Sequence, residues 1–161
     1  MQYILDSTVD SLVDNPNRKF IEVEMAFFSR WWNEQTEAKK AQVRQLVANR
    51  QLVFVNGGWC MNDEAVPTYW GIIDQMTLGH QFILHEFGEA AAPKSAWSID
   101  PFGHASTSVQ IWNLTGFDHY VINRIDYRHK DQMKAQAGLE FTWKGSKSSD
   151  VSMWIHMLDN Q

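Results

Sequence analysis

The amino-acid sequence predicts an α/β fold, a partial parallel β/α sheet or barrel-like domain in which strands alternate with helices. Four short apolar runs, rich in Val, Ile, Phe, Tyr or Trp, have strand character. A longer segment with apolar residues at helical spacing separates each run from the next. Parallel neighbouring strands need such crossovers because both must start from the same edge of the sheet. The four runs are residues 20–24, 52–56, 96–99 and 117–123.

Composition supports one globular domain and excludes several classes of partner. The 161 residues are 44% hydrophobic and 20% charged, which is ordinary for a chain that buries a core. A net charge of −5 provides no basic patch for nucleic acid or an anionic membrane, and no apolar run approaches the roughly 20 residues that span a bilayer. The sequence shows no secretory signal pattern, and Cys60 has no second cysteine to pair with, so the redox compartment stays open.

The N-terminal third of the chain predicts two helices around the first strand. Apolar residues recur at helical spacing over residues 3–13, which predicts a helix that begins almost at the first residue. After the strand at residues 20–24, aromatic residues over 25–32 predict a second helix whose apolar face belongs to a core. Glu24 stays open as a residue near a site, although a structural, hydrogen-bonding carboxylate is the favoured interpretation.

The middle of the chain predicts two helices around the second strand. Residues 34–50 form an amphipathic helix with solvated charges, and residues 52–56 form the apolar strand. Gly57-Gly58 ends that strand, since glycine allows a positive φ or a close backbone approach. Asn62 can cap a further helix over about residues 65–87, and the two acids that follow it suit the positive end of the helix dipole.

The last part of the chain predicts one more helix and the fourth strand. Residues 106–114 have helical character, and residues 117–123 form a strand with Arg124 at its end. No regular element is assigned beyond Gly138, where the sequence becomes rich in Gly, Ser and Lys at residues 144–150.

Asp100 is the candidate reactive group because it stands where the third strand should end and a sharp turn should begin. Pro101 has a fixed φ and restricts Asp100 to extended geometry, while Gly103 permits a tight bend just beyond. Asp100 is therefore predicted at the carboxyl edge of the sheet, where parallel α/β folds build their sites. An isolated Asp-Pro pair is more often only a turn, so the surrounding sequence decides.

Longer motifs surround Asp100. Residues 97–104 read Trp-Ser-Ile-Asp-Pro-Phe-Gly-His, and this segment strongly resembles the nucleophile segment of the glycoside hydrolase family 38 α-mannosidases, in particular their lysosomal branch. The resemblance extends over nearly the whole chain, through several tryptophan-rich motifs in the same order. The other matching motifs are residues 2–7, 24–32, 56–59, 61–65, 74–79 and 124–127.

The resemblance implies a retaining, zinc-dependent α-mannosidase that hydrolyses terminal, non-reducing α-D-mannose residues of glycans. In this family the aspartate at the position of Asp100 is the nucleophile and also ligates the catalytic Zn²⁺. A retaining glycosidase needs one carboxylate to attack the anomeric carbon and a second carboxylic acid to protonate the leaving oxygen. The residue matching Arg124 lies beside the nucleophile and can keep it ionised by charge pairing. The residue matching Phe102 lines the bound sugar.

Three further residues near strand ends have open roles. Trp59 and Asp63 follow the second strand at its carboxyl end and are candidates for lining the sugar cleft. Core packing of Trp59 and a helix-end interaction of Asp63 are the alternatives. His104, four residues after Asp100, is interpreted as a structural hydrogen-bonding residue and not as a metal ligand.

Residues 1–161 are expected to be a partial catalytic α/β domain truncated at both ends, since the family's other zinc ligands and its general acid fall outside them. The isolated chain should then be inactive and lack a complete zinc site, which ordinarily needs three or four protein ligands. The resemblance implies mannose-containing glycans and the rest of the parent polypeptide as partners, and a location in the lysosome or secretory pathway. The alternative function is a non-catalytic sugar-binding or partner-binding module.

Overall fold

The computed structural model of the chain describes residues 2–63, 68–148 and 150–159. These residues fall into two compact units, one of residues 1–60 and 74–93 and the other of residues 61–73 and 94–161. The predicted α/β class is confirmed, because both units combine helices with parallel strand pairs. None of the helices described has both the length and the apolar character that a membrane crossing requires.

The first unit contains a two-stranded parallel sheet and its surrounding helices. Its elements are α1 (Gln2–Asp14), β1 (Phe20–Glu22), α2 (Met25–Asn33), α3 (Glu37–Ala48), β2 (Leu52–Phe54), most of α4 (Tyr69–Phe87) and a short 3-10 turn (Glu89–Ala91). Strands β1 and β2 pair in parallel, with Phe20 opposite Leu52 and Glu22 opposite Phe54. The first two predicted strands and the helices between them are therefore confirmed.

Aromatic rings form the core of the first unit. Phe28 of α2 is fully buried, and its ring centroid lies 5.4 Å from that of Phe54 and 6.1 Å from that of Trp32. The ring of Trp32 lies 4.8 Å from that of Phe87, the last residue of α4. The aromatic face predicted for α2 is thus core, and each fully buried ring contributes roughly 1.5–3 kcal/mol of apolar transfer free energy.

The glycine pair after β2 passes directly against α4. Gly57 has a φ of +73°, and a Cβ built on Gly79 would overlap the carbonyl oxygen of Gly57. A Cβ on Gly58 would overlap the side chain of Gln75. The close backbone approach predicted for Gly57-Gly58 is therefore confirmed, and glycine is required on both sides of the contact.

Helix α4 begins later than the sequence predicted. Tyr69 is its first residue, and the carbonyl of Thr68 accepts a helical hydrogen bond at 3.1 Å. Asn62 and Asp63 lie before this start, and the residues that directly follow them, 64–67, lie outside the described ranges, so the helix-end interpretation of both stays a prediction. The Pro-Thr pair just before Tyr69 in the sequence is the stronger signal, because proline disfavours helix at the preceding residue and threonine caps well. Residues 65–67 of the predicted helix are among these undescribed residues.

The second unit is built on a four-stranded mixed sheet. Its elements are β3 (Ser95–Ser98), α5 (Ser106–Leu114), β4 (His119–Ile122), α6 (Tyr127–Ala135), β5 (Glu140–Lys144) and β6 (Ser152–Met157). The strand order is β3-β4-β6-β5, with β3, β4 and β6 mutually parallel and β5 antiparallel to β6. Trp112 of α5 is buried against this sheet, with its ring centroid 6.3 Å from that of Tyr120 on β4.

Three elements of the second unit were not predicted, and the expectation of parallel strands alone is wrong for β5. The Gly-, Ser- and Lys-rich segment beyond Gly138 contains a hairpin connection, in which the amide of Gly145 donates to the carbonyl of Val151 at 3.1 Å. A short connection of this kind can only join antiparallel strands. Met153, Ile155 and Met157 alternate along β6 and are all buried, and this period-two spacing of apolar residues is a strand signal that the sequence contains. Helix α6 lacks a broad apolar face, so the spacing of its apolar residues does not predict a helix.

Candidate active site

Asp100 lies just beyond the end of strand β3, at the carboxyl edge of the four-stranded sheet. β3 ends at Ser98, and Asp100 follows in the predicted turn. Pro101 is buried, and Gly103 has a φ of +122°, a conformation that favours glycine. The Asp100 side chain is 62% exposed, so the turn presents the carboxylate to solvent and not to the core.

Arg124 reaches Asp100 from the neighbouring parallel strand. The register places Ser98 opposite Ile122, so that Asp100 and Arg124 stand equally far beyond their strands. Nε of Arg124 donates to Oδ1 of Asp100 at 2.9 Å, and Nη2 lies 2.8 Å from the same oxygen. The prediction that the two side chains meet at neighbouring strand ends is confirmed.

Two of the three guanidinium nitrogens, Nε and Nη2, contact the same carboxylate oxygen, Oδ1 of Asp100. The side chains are 37% and 62% exposed for Arg124 and Asp100, and such a pair stabilises a fold by at most about 1 kcal/mol. Its main consequence is chemical. The guanidinium orients the carboxylate through Oδ1 and balances its charge.

Phe102 packs beside this ion pair. Cζ of Arg124 lies 5.3 Å from the centroid of the Phe102 ring, within the range of a cation–π contact, and Phe102 is 74% exposed. A cavity of about 330 Å³ is lined by Phe102, Arg124, Gly103, Ile125 and Asp126. An exposed ring next to a carboxylate offers a surface on which the apolar face of a sugar can stack.

A second cavity in the same unit contains Asp63. Its volume is about 320 Å³, and its lining includes Asp63, Phe102, His104 and Tyr120. Burial raises the pKa of Tyr120, so its hydroxyl is neutral at physiological pH. Asp63 and Phe102, which the sequence analysis assigned to the site on separate grounds, therefore line one cavity.

Trp59 and Glu24 belong to the first unit. Trp59 is half-buried and packs against the aromatic core, and its amide donates to the carbonyl of Gln75 at 3.0 Å. Glu24 occupies the N-cap position of α2 without a side-chain capping hydrogen bond. Core packing of Trp59 agrees with one of its two interpretations, and a contact of either residue with a sugar stays a prediction.

Two side chains hold the main chain around Arg124 by hydrogen bonds, and only one of them, His104, was predicted from the sequence. Nε2 of His104 lies 3.0 Å from the carbonyl oxygen of Arg124, so this ring nitrogen carries the proton and the predicted structural hydrogen bond is confirmed. Lys130 of α6 donates to the carbonyl oxygen of Asn123 at 3.1 Å and to its Oδ1 at 2.7 Å. The signal that could have located α6 is its N-cap Asp126, whose side chain accepts from two amides of the first turn.

The described residues fit one ligand of a zinc site and not the whole site. Asp100 offers a carboxylate oxygen, which is a suitable zinc ligand. Within residues 2–63, 68–148 and 150–159, no three His, Cys, Asp or Glu side chains are grouped so as to hold a metal ion. A zinc ion at Asp100 would therefore need ligands from other parts of the polypeptide.

Known proteins resemble this chain along its full length. The chain matches the Glycosyl hydrolases family 38 N-terminal domain over residues 1–161. It is 51% identical over 148 residues to the lysosomal alpha-mannosidase of Mus musculus. The aligned region covers 92% of this chain and 15% of that protein. It is also 51% identical over 156 residues to an alpha-mannosidase of Arabidopsis thaliana, covering 96% of this chain and 15% of that protein. The chain thus spans about 15% of the length of these relatives.

Solved structures of low sequence identity share the fold. An alpha-mannosidase from Enterococcus faecalis V583 superposes with a TM-score of 0.74 at 16% identity, covering 98% of this chain and 17% of that one. A 4-alpha-glucanotransferase from Thermococcus litoralis gives a TM-score of 0.72 at 13% identity, covering 94% and 23% of the two chains. These likenesses support the fold, and the sequence match over every residue supports the family. The chain belongs to glycosyl hydrolase family 38 and lies in the N-terminal domain of that family.

Proposed function

We propose that the polypeptide containing this chain is a retaining, zinc-dependent α-mannosidase that hydrolyses terminal, non-reducing α-D-mannose residues of glycans. The observation that carries the proposal is the Asp100–Arg124 pair at the carboxyl edge of two parallel strands, in a chain of family 38. The relatives named alpha-mannosidases in mouse and Arabidopsis support the substrate class.

Asp100 is the proposed nucleophile. One of its oxygens forms a bond to the anomeric carbon of mannose while the bond from that carbon to the leaving oxygen breaks. A carboxylic acid from another part of the polypeptide protonates the leaving oxygen. Water then gives a proton to the carboxylate so formed and attacks the anomeric carbon, while the bond from that carbon to Asp100 breaks, which releases the sugar and restores both carboxyl groups. Arg124 holds Oδ1 in place, and Oδ2 is the oxygen proposed to attack.

Phe102, Asp63 and Trp59 are proposed to line the sugar site. The exposed ring of Phe102 offers a stacking surface, and the Asp63 carboxylate can accept hydrogen bonds from sugar hydroxyls. Asp100 is the residue of this chain proposed to ligate zinc, which when bound supplies positive charge for holding sugar hydroxyls.

The proposed partners are mannose-containing glycans and the rest of the parent polypeptide. Relatives named lysosomal alpha-mannosidase support a location in the lysosome or secretory pathway. For the 161-residue chain by itself, the second candidate is a non-catalytic sugar-binding or partner-binding module. The lack of a three-ligand metal cluster among the described residues favours that candidate for the isolated chain.

The test compares Asp100→Asn with Asp118→Asn in the full-length polypeptide. Both changes replace an exposed carboxylate by an amide of the same shape, but Asp118 precedes β4 at the end opposite to Arg124. We expect Asp100→Asn to lower kcat for an aryl α-mannoside about a thousandfold or more, and to abolish labelling by a mechanism-based fluoro-sugar. It should also lower the zinc content, whereas Asp118→Asn should change none of the three. Substantial turnover by Asp100→Asn, or a label found on another residue, would contradict the proposal.

A further inference from the structure

Arg124 lies beyond the part of the main chain that the sheet itself holds. Strand β4 ends at Ile122, whose carbonyl accepts from the amide of Leu158 at 2.9 Å. The next carbonyls, those of Asn123 and Arg124, follow the end of the strand. Because main-chain carbonyls removed from water need hydrogen-bond donors, the position of Arg124 depends on donors from other elements.

Two side chains from different elements provide these donors. Nζ of Lys130 donates to the carbonyl of Asn123, and Nε2 of His104 donates to the carbonyl of Arg124, at 3.1 and 3.0 Å. These carbonyls belong to the two peptide groups on either side of the Arg124 Cα. Both peptide planes are therefore fixed, and the direction in which the Arg124 side chain leaves the backbone follows from them.

Lys130 is an unusual lysine because it is only 3% exposed. Burial lowers its pKa, and the charge of Lys134 adds to this effect while Asp159 opposes it. A buried ammonium is costly unless its protons are used in hydrogen bonds, and Lys130 places them on the carbonyl and on Oδ1 of Asn123. Bonds from an ionised donor are stronger than neutral ones, so this contact is a firm attachment of α6 to the end of β4.

We propose that Lys130 is a positioning residue that holds Arg124 against Asp100 by fixing the Asn123 peptide. The inference rests on the proposed function of Asp100 and Arg124. Without Lys130 the guanidinium would still be present, but its main-chain support on one side would be lost. A displacement of about 1 Å at such a group can cost about a hundredfold in rate. The loss should fall on kcat, since the Lys130 side chain is buried and donates its hydrogen bonds to Asn123.

The first experiment compares Lys130→Met with Lys134→Met in the full-length enzyme. Methionine keeps the length of the apolar stem and removes the donor, and Lys134 lies one turn further along α6, paired with Asp159 at 2.8 Å. We expect Lys130→Met to lower kcat for an aryl α-mannoside about 10- to 100-fold with KM changed less than about threefold. Lys134→Met should change kcat less than about twofold. Equal effects of the two variants would overturn the proposal.

A double-mutant cycle with Arg124→Met distinguishes positioning from a general loss of structure. If Lys130 acts through Arg124, Lys130→Met should lower kcat less than about twofold further once Arg124 is gone. An equal loss in both backgrounds would assign Lys130 a purely structural role. Asn123→Ser is the second variant, because it removes Oδ1 and leaves the carbonyl; it should lower kcat about 3- to 10-fold, again only when Arg124 is present.

The outcomes separate this inference from the proposed function. If Asp100→Asn and Arg124→Met both keep turnover, the proposed function fails. If these two variants lose turnover while Lys130→Met and Asn123→Ser keep it, only the role of Lys130 fails. If Lys130→Met yields no folded enzyme, Asn123→Ser decides, and a failure of both to fold would overturn the positioning role in favour of a structural one.

Discussion

Glu22 makes the stability of the first unit depend on pH. This residue ends β1, and burial raises its pKa from 4.5 to about 7, against the lowering effect of hydrogen bonds from the Val23 and Glu24 amides. The charge of Glu24 raises it further. The folded protein therefore holds the Glu22 proton more tightly than the unfolded chain does. The stability from this proton is complete below pH about 4.5 and is lost as the pH rises through about 7.

The magnitude follows from the two pKa values. Their difference of about 2.5 corresponds to about 3 kcal/mol between pH 4.5 and a pH well above 7, as an order of magnitude. Glu22→Gln removes the charge and keeps the shape, and its amide oxygen can still accept from the Val23 amide, which lies 3.3 Å from Oε1 in the wild type. The variant should match the wild type near pH 4.5 and exceed its free energy of unfolding by up to about 3 kcal/mol at pH 8.

Hydrogen exchange of the full-length polypeptide is the suitable assay, because melting a multidomain protein does not report the stability of one part. Peptides that contain β1 and β2 are compared between wild type and Glu22→Gln at the same pH, so that intrinsic exchange rates cancel at all amides except those of residues 22 and 23, which border the substitution. The control is Glu37→Gln, since the Glu37 side chain is 82% exposed in the first turn of α3. Equal protection of wild type and Glu22→Gln at pH 8 would refute the reasoning.

Two further predictions concern the metal and the glycine contact. The isolated 161-residue chain should retain far less than one zinc per molecule after dialysis, as metal analysis can show, because its described residues contain no three-ligand cluster; one tightly held zinc would contradict this. Gly79→Ala should destabilise the first unit by roughly 2 kcal/mol or more, since its Cβ would overlap the Gly57 carbonyl. Hydrogen exchange of peptides from α4 in the full-length polypeptide measures this cost. A Cβ at Gly138 meets its nearest atom at 3.5 Å, so Gly138→Ala should cost less in the peptides around that residue. Similar costs for the two alanine variants would be the opposing result.

The contact between Asp100 and Arg124 could be predicted because it depends on two local facts and one general rule. Each residue closes an apolar run, and the Pro101 and Gly103 signals mark the turn after Asp100. Successive parallel strands that pair with each other end at the same edge of the sheet, and β3 and β4 do so. The contact is therefore independent of where the remaining strands of the sheet lie.

The support of Arg124 by Lys130 could not be predicted in the same way. Helix α6 carries one buried residue, Lys130 itself, so it lacks the apolar stripe by which sequence analysis finds a helix. The order of the sheet was hidden for a different reason. β6 pairs with β4 across two intervening elements, and such pairing is set by long-range packing and not by any local pattern of residues.

The geometry at the carboxyl edge depends on three segments that satisfy one another's polar groups. The loop after β3 supplies Asp100 and His104, the loop after β4 supplies Arg124, and α6 supplies Lys130. Arg124 donates from its side chain to the first loop and accepts at its main chain from His104, while the preceding peptide is held from α6. Because each bond crosses from one segment to another, a change in any of them moves the guanidinium relative to the carboxylate. Substitutions that never touch a sugar can therefore alter the orientation of Asp100.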